Sequence, residues 1–119
     1  MAKLLISITN AKNDADRATV GFVVANASVA SGVETVVFLS TEGVRLAQQG
    51  YADSIHEEGF APLKELMDNY VGAGGTIWVC SPCFKKRGLN ESKLTGNTAI
   101  VGGAKVVEFL VTGGSSITY

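Results

Sequence analysis

Two cysteines three positions apart, Cys80 and Cys83, stand in the segment TIWVCSPCFKKRGL, Thr76 to Leu89, where the chain concentrates its reactive chemistry. An ordinary thiol titrates near about 8.5, but at a helix N-terminus or beside cations it shifts to roughly 3.5–7.5 and is largely thiolate. Thiolate is the form that attacks disulfides, persulfides and peroxides. TIWVC has the pattern of a buried strand and SPCFKKRG that of a helical turn, so Cys80 falls at the strand's last position and near the helix N-cap. Pro82 suits the first helical turn, where a missing amide hydrogen costs nothing. Lys85, Lys86 and Arg87 add positive potential. Cys83, one turn further on, is placed to resolve a mixed disulfide formed at Cys80. The same pair could also be two small hydrophobic side chains packed in a core. A zinc site takes four ligands, and only His56 and the acidic residues could supplement the pair. The reading therefore includes no metal and no cofactor.

The elements that must position these cysteines follow from periodicity. KLLISIT (Lys3–Thr9) and ETVVFLS (Glu34–Ser40) are near-continuous apolar runs, the pattern of strands buried on both faces. Between them a helix from about Ala15 to Ser31 carries Ala18, Phe22, Ala25 and Val29 on one stripe, with Asn13 or Asp14 as N-cap and Gly32 as terminator. Phe60, Leu63, Met67, Tyr70 and Val71 line a second helix that closes at GAGG. NTAIV predicts a fourth strand, while Ala104, Val107, Leu110 and Val111 predict a last helix ended by Gly113 and Gly114. SSITY predicts a terminal strand. Strands alternating with helices give a three-layer α/β/α domain over residues 1–119, with a mostly parallel sheet of about five strands.

Parallel sheets gather chemistry at the carboxyl ends of their strands. TNAKN after the first strand and STEGV after the second should therefore meet the cysteines, which makes Asn10, Thr41 and Glu42 candidates to line a pocket beside Cys80. Glu42 could transfer a proton to or from sulfur, or simply cap a helix or face solvent. His56 could activate a thiol, but Glu57 and Glu58 beside it favour an exposed loop. Trp78, two residues before Cys80, shares its face of the strand.

Composition removes other classes. With 46% hydrophobic and 18% charged residues, the 119-residue chain is no disordered segment. Ten basic against eleven acidic residues leave a net charge of -1, so no basic field exists for nucleic acid. No apolar run has the length of a membrane span, and the lysine and short apolar run at the start lack a cleavage site. These features predict a cytoplasmic protein, where thiols are kept reduced.

The order of elements, with VCSPCFKKRGL after the third strand, resembles the DsrE/DsrF-like proteins. DRATVGFVVANASVASG, TVVFLSTEGV and KLTGNTAIVGGAKVVEFL resemble further blocks of that family, so the likeness spans nearly the whole chain. In its sulfur-carrying members a cysteine ends this strand and a basic residue followed by RG comes shortly after. Cys80 and Arg87-Gly88 occupy those positions. The resemblance implies a trimer or hexamer of α/β subunits, a persulfide on Cys80, and sulfur donor and acceptor proteins as partners. Cys83 is additional to the simplest carriers and gives the chain a C-x-P-C motif. Three readings follow: a sulfurtransferase-like carrier, a thiol oxidoreductase or switch using both cysteines, and a non-catalytic oligomeric scaffold.

Overall fold

The computed structural model describes residues 2–119. Five strands, β1 (Lys3–Ile8), β2 (Glu34–Leu39), β3 (Thr76–Cys80), β4 (Thr98–Val101) and β5 (Gly114–Thr118), form one sheet in the order β4-β3-β2-β1-β5. Every pairing is parallel. Four α-helices connect or cover them: α1 (Ala15–Ala30), α2 (Leu63–Gly72), α3 (Ser81–Lys86) and α4 (Gly103–Val111). The 3-10 segment Thr41–Ala47 follows β2 directly.

Register decides where the strand ends fall. Ile8 pairs with Leu39, Leu39 with Val79, and Val79 with Ile100. The residues that follow this row, Thr9, Ser40 and Cys80 among them, therefore share the carboxyl edge of the sheet.

One face is deeply buried. Ile6, Ile8, Val37, Leu39, Ile77 and Val79 are fully buried beneath Ala18, Phe22 and Ala25 of α1 and Leu63, Met67 and Tyr70 of α2. Phe22 meets Tyr70 edge to face, with ring centroids 5.9 Å apart. The Tyr70 hydroxyl lies 2.7 Å from the Thr76 carbonyl and 3.2 Å from that of Thr35, which satisfies the ring's polar end inside the core. Gly75 is required beside it, because a Cβ there would enter the Tyr70 ring.

The expected elements all form, with two differences of detail. Phe60 precedes α2, which starts at Leu63 with Pro62 as its N-cap. Proline disfavours helical geometry in the residue before it, so the turn cannot extend back to Phe60. In α4 the buried side chain is Phe109, flanked by the partly buried Val106 and Leu110, whereas Val107 and Val111 face solvent. Both stripes of α4 are apolar. The edge-to-face contact of Phe109 with Trp78, at 5.7 Å, accompanies the one that docks. Of the two candidate caps of α1, Asp14 takes the role, its carboxylate accepting from the Arg17 amide at 3.1 Å.

Candidate functional site

Cys80 ends β3 and is the N-cap of α3, with Pro82 in the first helical turn. Phe84, 3% exposed, fixes this short helix to the main core. Cys83 lies one turn along, and its sulfur is within hydrogen-bonding reach of the Cys80 thiol. Both cysteines are free and partly exposed. Lys85 and Lys86 project from the last turn into solvent.

The loop after β2 closes over this turn. Gly43 packs so tightly on the Ile8 carbonyl that a Cβ would overlap the oxygen, which seats the loop on the end of β1. Two residues earlier, Thr41 has φ 51, a left-handed conformation that a β-branched residue rarely adopts. Its hydroxyl lies 2.7 Å from the Thr9 carbonyl and equally close to that of Ser40, and its amide faces the Cys83 sulfur. Backbone strain of this kind costs roughly 1–3 kcal/mol and persists where the surroundings over-determine it.

Glu42 joins the two loops. Its carboxylate accepts from Arg87 Nε at 2.6 Å and from Arg45 Nε at 2.9 Å. Arg87, with a side chain only 14% exposed, also donates from Nη1 to the Cys83 carbonyl at 3.1 Å. Arg87, and then Arg45, hold the Glu42 carboxyl below the usual carboxylate range. Two guanidinium groups share one carboxylate, so the cluster keeps an excess positive charge beside Cys83.

The thiols respond differently to these surroundings. Burial pushes the Cys80 thiol up, and the hydrogen bond to the Cys83 sulfur adds to the shift; the Cys83 amide and Arg87 offset only part of it. For Cys83, burial again opposes ionisation. The hydrogen bond from Cys80, the Thr41 amide, and the charges of Arg87 and Lys86 together outweigh it, so this thiol lies below its ordinary range. The anion-favouring groups of the site, the Thr41 amide and the Arg87 guanidinium, thus serve the two sulfurs as a pair. Each sulfur faces one backbone amide, that of Cys83 for Cys80 and that of Thr41 for Cys83, and Arg87 acts on both.

Of the residues expected here, Thr41, Glu42, Pro82 and Arg87 join the cysteine turn, and Lys85 lies on its outer side. Asn10 does not join it: its side chain bonds Thr9 Oγ1 at 3.4 Å and Asn13 at 2.8 Å within the loop after β1. Its neighbour Thr9 reaches the site through its carbonyl instead. His56 is exposed and bonded to the Phe60 carbonyl at 2.7 Å, and Trp78 belongs to the small core under α4. Arg45 is the participant that sequence reading overlooks, although its three-residue spacing from Glu42 within a 3-10 turn was the available signal. Among the described residues no group of three or more His, Cys, Asp or Glu side chains converges as a metal site would require. Two hollows among the described residues lie off the cysteines. One of about 380 Å³ runs beside Lys64, Met67 and Val71 of α2; another of about 300 Å³ lies between Phe84, Leu89 and Ile100.

A model of the DsrE/DsrF-like family matches residues 2–119. Two uncharacterized proteins of Methanocaldococcus jannaschii are similar in sequence. MJ0760 is 27% identical over 108 residues, which cover 91% of this chain and 39% of that protein. MJ0989 is 26% identical over 117 residues, covering 98% and 99%. The chain thus spans well under half the length of the first relative and nearly all of the second. Among solved structures, the ychN protein from E. coli superposes with a TM-score of 0.84 at 16% identity, covering all of both chains. The protein of unknown function MTH1491 from Methanobacterium thermoautotrophicum gives 0.77 at 14% identity, again over all of both chains. At these identities the likeness establishes the α/β fold.

Proposed function

Because the chain belongs to the DsrE/DsrF-like family, we propose that it accepts sulfane sulfur as a persulfide carried on Cys80 and passes it to an acceptor. Family membership supports a sulfur-relay-type role at the level of the family. The observation that carries the finer reading is the pair of partly exposed thiols in contact at the carboxyl edge of the sheet, flanked by the Arg87 guanidinium. That arrangement favours anionic sulfur and leaves it open to a donor. A cytoplasmic setting, donor and acceptor proteins, and assembly into a trimer or hexamer complete the proposal. The exposed Val107 and Val111 of α4 are assigned to contacts between copies of the chain.

The contact between Cys80 and Cys83 favours a second reading, a dithiol that a disulfide substrate oxidises to an intramolecular disulfide while the substrate leaves as two thiols. Intact-mass spectrometry separates the two. The reduced protein is incubated with a small persulfide donor and re-measured, then treated with reductant, with Cys80→Ser and Cys83→Ser alongside. A reductant-sensitive gain of one sulfur atom that maps to Cys80 is expected. Loss of two hydrogens without added sulfur supports the dithiol reading, and an unchanged mass overturns both.

A further inference from the structure

β4 is an edge of the sheet, with a strand on one side only. Asn97, just before it, accepts at its carbonyl from the Ile77 amide at 3.0 Å. Opposite β4, Ile77 pairs with Thr98, Val79 with Ile100 and Cys80 with Val101. Along a strand, alternate residues turn both backbone groups to the same side. Asn97, Ala99 and Val101 therefore face β3, while Thr98 and Ile100 turn their N–H and C=O groups outward. Among the described residues nothing bonds these four groups. Edge strands are commonly blunted by lysine, proline, a bulge or a covering element. β4 reads TAIV, without a charge or a proline.

The hollow of about 300 Å³ adjoins this edge, with Ile100 of β4 on one wall and Phe84 and Leu89 on the other. We propose that β4 is a docking edge, where an extended segment of the protein that receives sulfur adds as a sixth strand and sets one apolar side chain into this hollow. The proposal rests on the persulfide reading and supplies the acceptor's mode of recognition. A row of unpaired backbone donors and acceptors is matched by another extended backbone, and a pocket for alternate side chains supplies selectivity. Lys85 and Glu91 give the hollow's margin one charge of each sign, so packing rather than net charge selects the segment. It is short, extended and rich in aliphatic or β-branched residues.

Register brings the chemistry within reach. Cys80 stands opposite Val101, and neighbouring strands lie about 4.8 Å apart, so a strand beside β4 runs roughly 10 Å from Cys80. The other edge, β5, is separated from β3 by both β2 and β1. The occupant is the acceptor because a small persulfide can load the partly exposed thiols unaided, whereas delivery to one protein and not another requires recognition. With the segment in place, the acceptor's thiolate attacks the outer sulfur of Cys80–S–SH. The new S–S bond forms on the acceptor, the bond from Cys80 to that sulfur breaks, and Cys80 departs as thiolate. The terminal proton stays on the transferred sulfur, so no outside oxidant or reductant enters.

Tethering tests the edge independently of sulfur loading. The probe is a blocked peptide of alternating threonines and valines joined through two glycines to a cysteine, made with the cysteine at either end. Its thionitrobenzoate disulfide is exchanged onto Cys80 of Cys83→Ser, releasing thionitrobenzoate, and amide hydrogen exchange is followed by NMR. In the free protein the Thr98 and Ile100 amides are expected to exchange faster than those of Ala99 and Val101. In one of the two adducts they are expected to slow by at least about tenfold, and the same peptide fully N-methylated, stripped of its donors, is expected to lose that protection. No slowing in either adduct, or equal slowing with the N-methylated peptide, overturns strand addition. Amides already slow in a free protein that sediments as a dimer assign the edge to a second copy and overturn the acceptor. As a second readout, sulfur-loaded wild type is mixed with the free-thiol peptides, and transfer is followed by mass. Faster transfer to the strand-forming peptide than to its N-methylated form is expected; equal rates overturn the acceptor's use of the edge. A wild type that never gains sulfur, in a protein whose tethered adduct is protected, overturns the carrier reading instead, so the two failures are distinct.

Discussion

Under α1 and α2 the side chains of Ile6, Ile8, Val37, Leu39, Ile77 and Val79 are removed from water. On the opposite face Leu5 and Val36 share the single helix α4 with a partly exposed Trp78, and Val107 and Val111 of that helix are 57% and 75% exposed. The difference separates two tasks. The deep face fixes the strand ends from which the Thr41 loop and α3 depart, so the geometry around the cysteines inherits the rigidity of a close-packed interior. The shallow face keeps its apolar surface, which is the surface assigned above to contacts between subunits.

Core truncation is the strongest way to break this comparison. Phe22→Ala removes a ring that is wholly inside the deep face and should cost about 3–5 kcal/mol. Phe109→Ala, under a helix open to solvent on its other side, should fall at or below the lower end of that range. Urea denaturation of the two variants gives the ranking, and a larger loss for Phe109 would mean the shallow face is the true core.

A smaller effect sharpens the link between the deep face and the loops it supports. Arg87 and then Arg45 depress the Glu42 carboxyl in the folded protein, so its ionised form is bound more favourably there than in the unfolded chain. The resulting stability is present above the unfolded carboxyl value of about 4.3 and is lost as pH falls through the lower folded value. Because Glu42 is 37% exposed, at most about 1 kcal/mol is expected. Thermal midpoints of wild type and Glu42→Gln should therefore differ at neutral pH and converge in acid; a gap that widens as pH falls contradicts the sign.

The smallest effect on the fold belongs to the outward stripe of α4. Val107→Lys and Val111→Lys should change protomer stability by no more than about 0.5 kcal/mol, the usual range for surface substitutions. Their consequence should appear in assembly: sedimentation velocity is expected to show the assembled wild type giving way to smaller species. A wild type that sediments as a monomer removes the subunit role of this face.

Much of the frame was legible because local pattern and final environment agree. The apolar runs of β1 and β2 are continuous because both of their faces are covered, and Asp14 sits where a carboxylate can accept from the Arg17 amide. Cys80 at a strand end followed by Pro82 could also be read directly. Phe60 misled because its helical spacing to Leu63 ignores the block that Pro62 imposes. Asn10 misled because strand polarity brings a loop to an edge without choosing which of its side chains turn inward.

The sequence by itself determined the strands and helices, the parallel α/β class and the placement of two thiols at a strand–helix junction, since these follow from periodicity, chain stiffness and turn chemistry within a few residues. Tertiary structure decided which stripe of α4 is buried, that Thr41 takes a left-handed conformation, and that Glu42 holds Arg87 across 45 positions of sequence. It also decided which groups surround the cysteine pair. That outcome depends on donors and charges brought together from separate loops, and electrostatic interactions act across space whatever the separation along the chain.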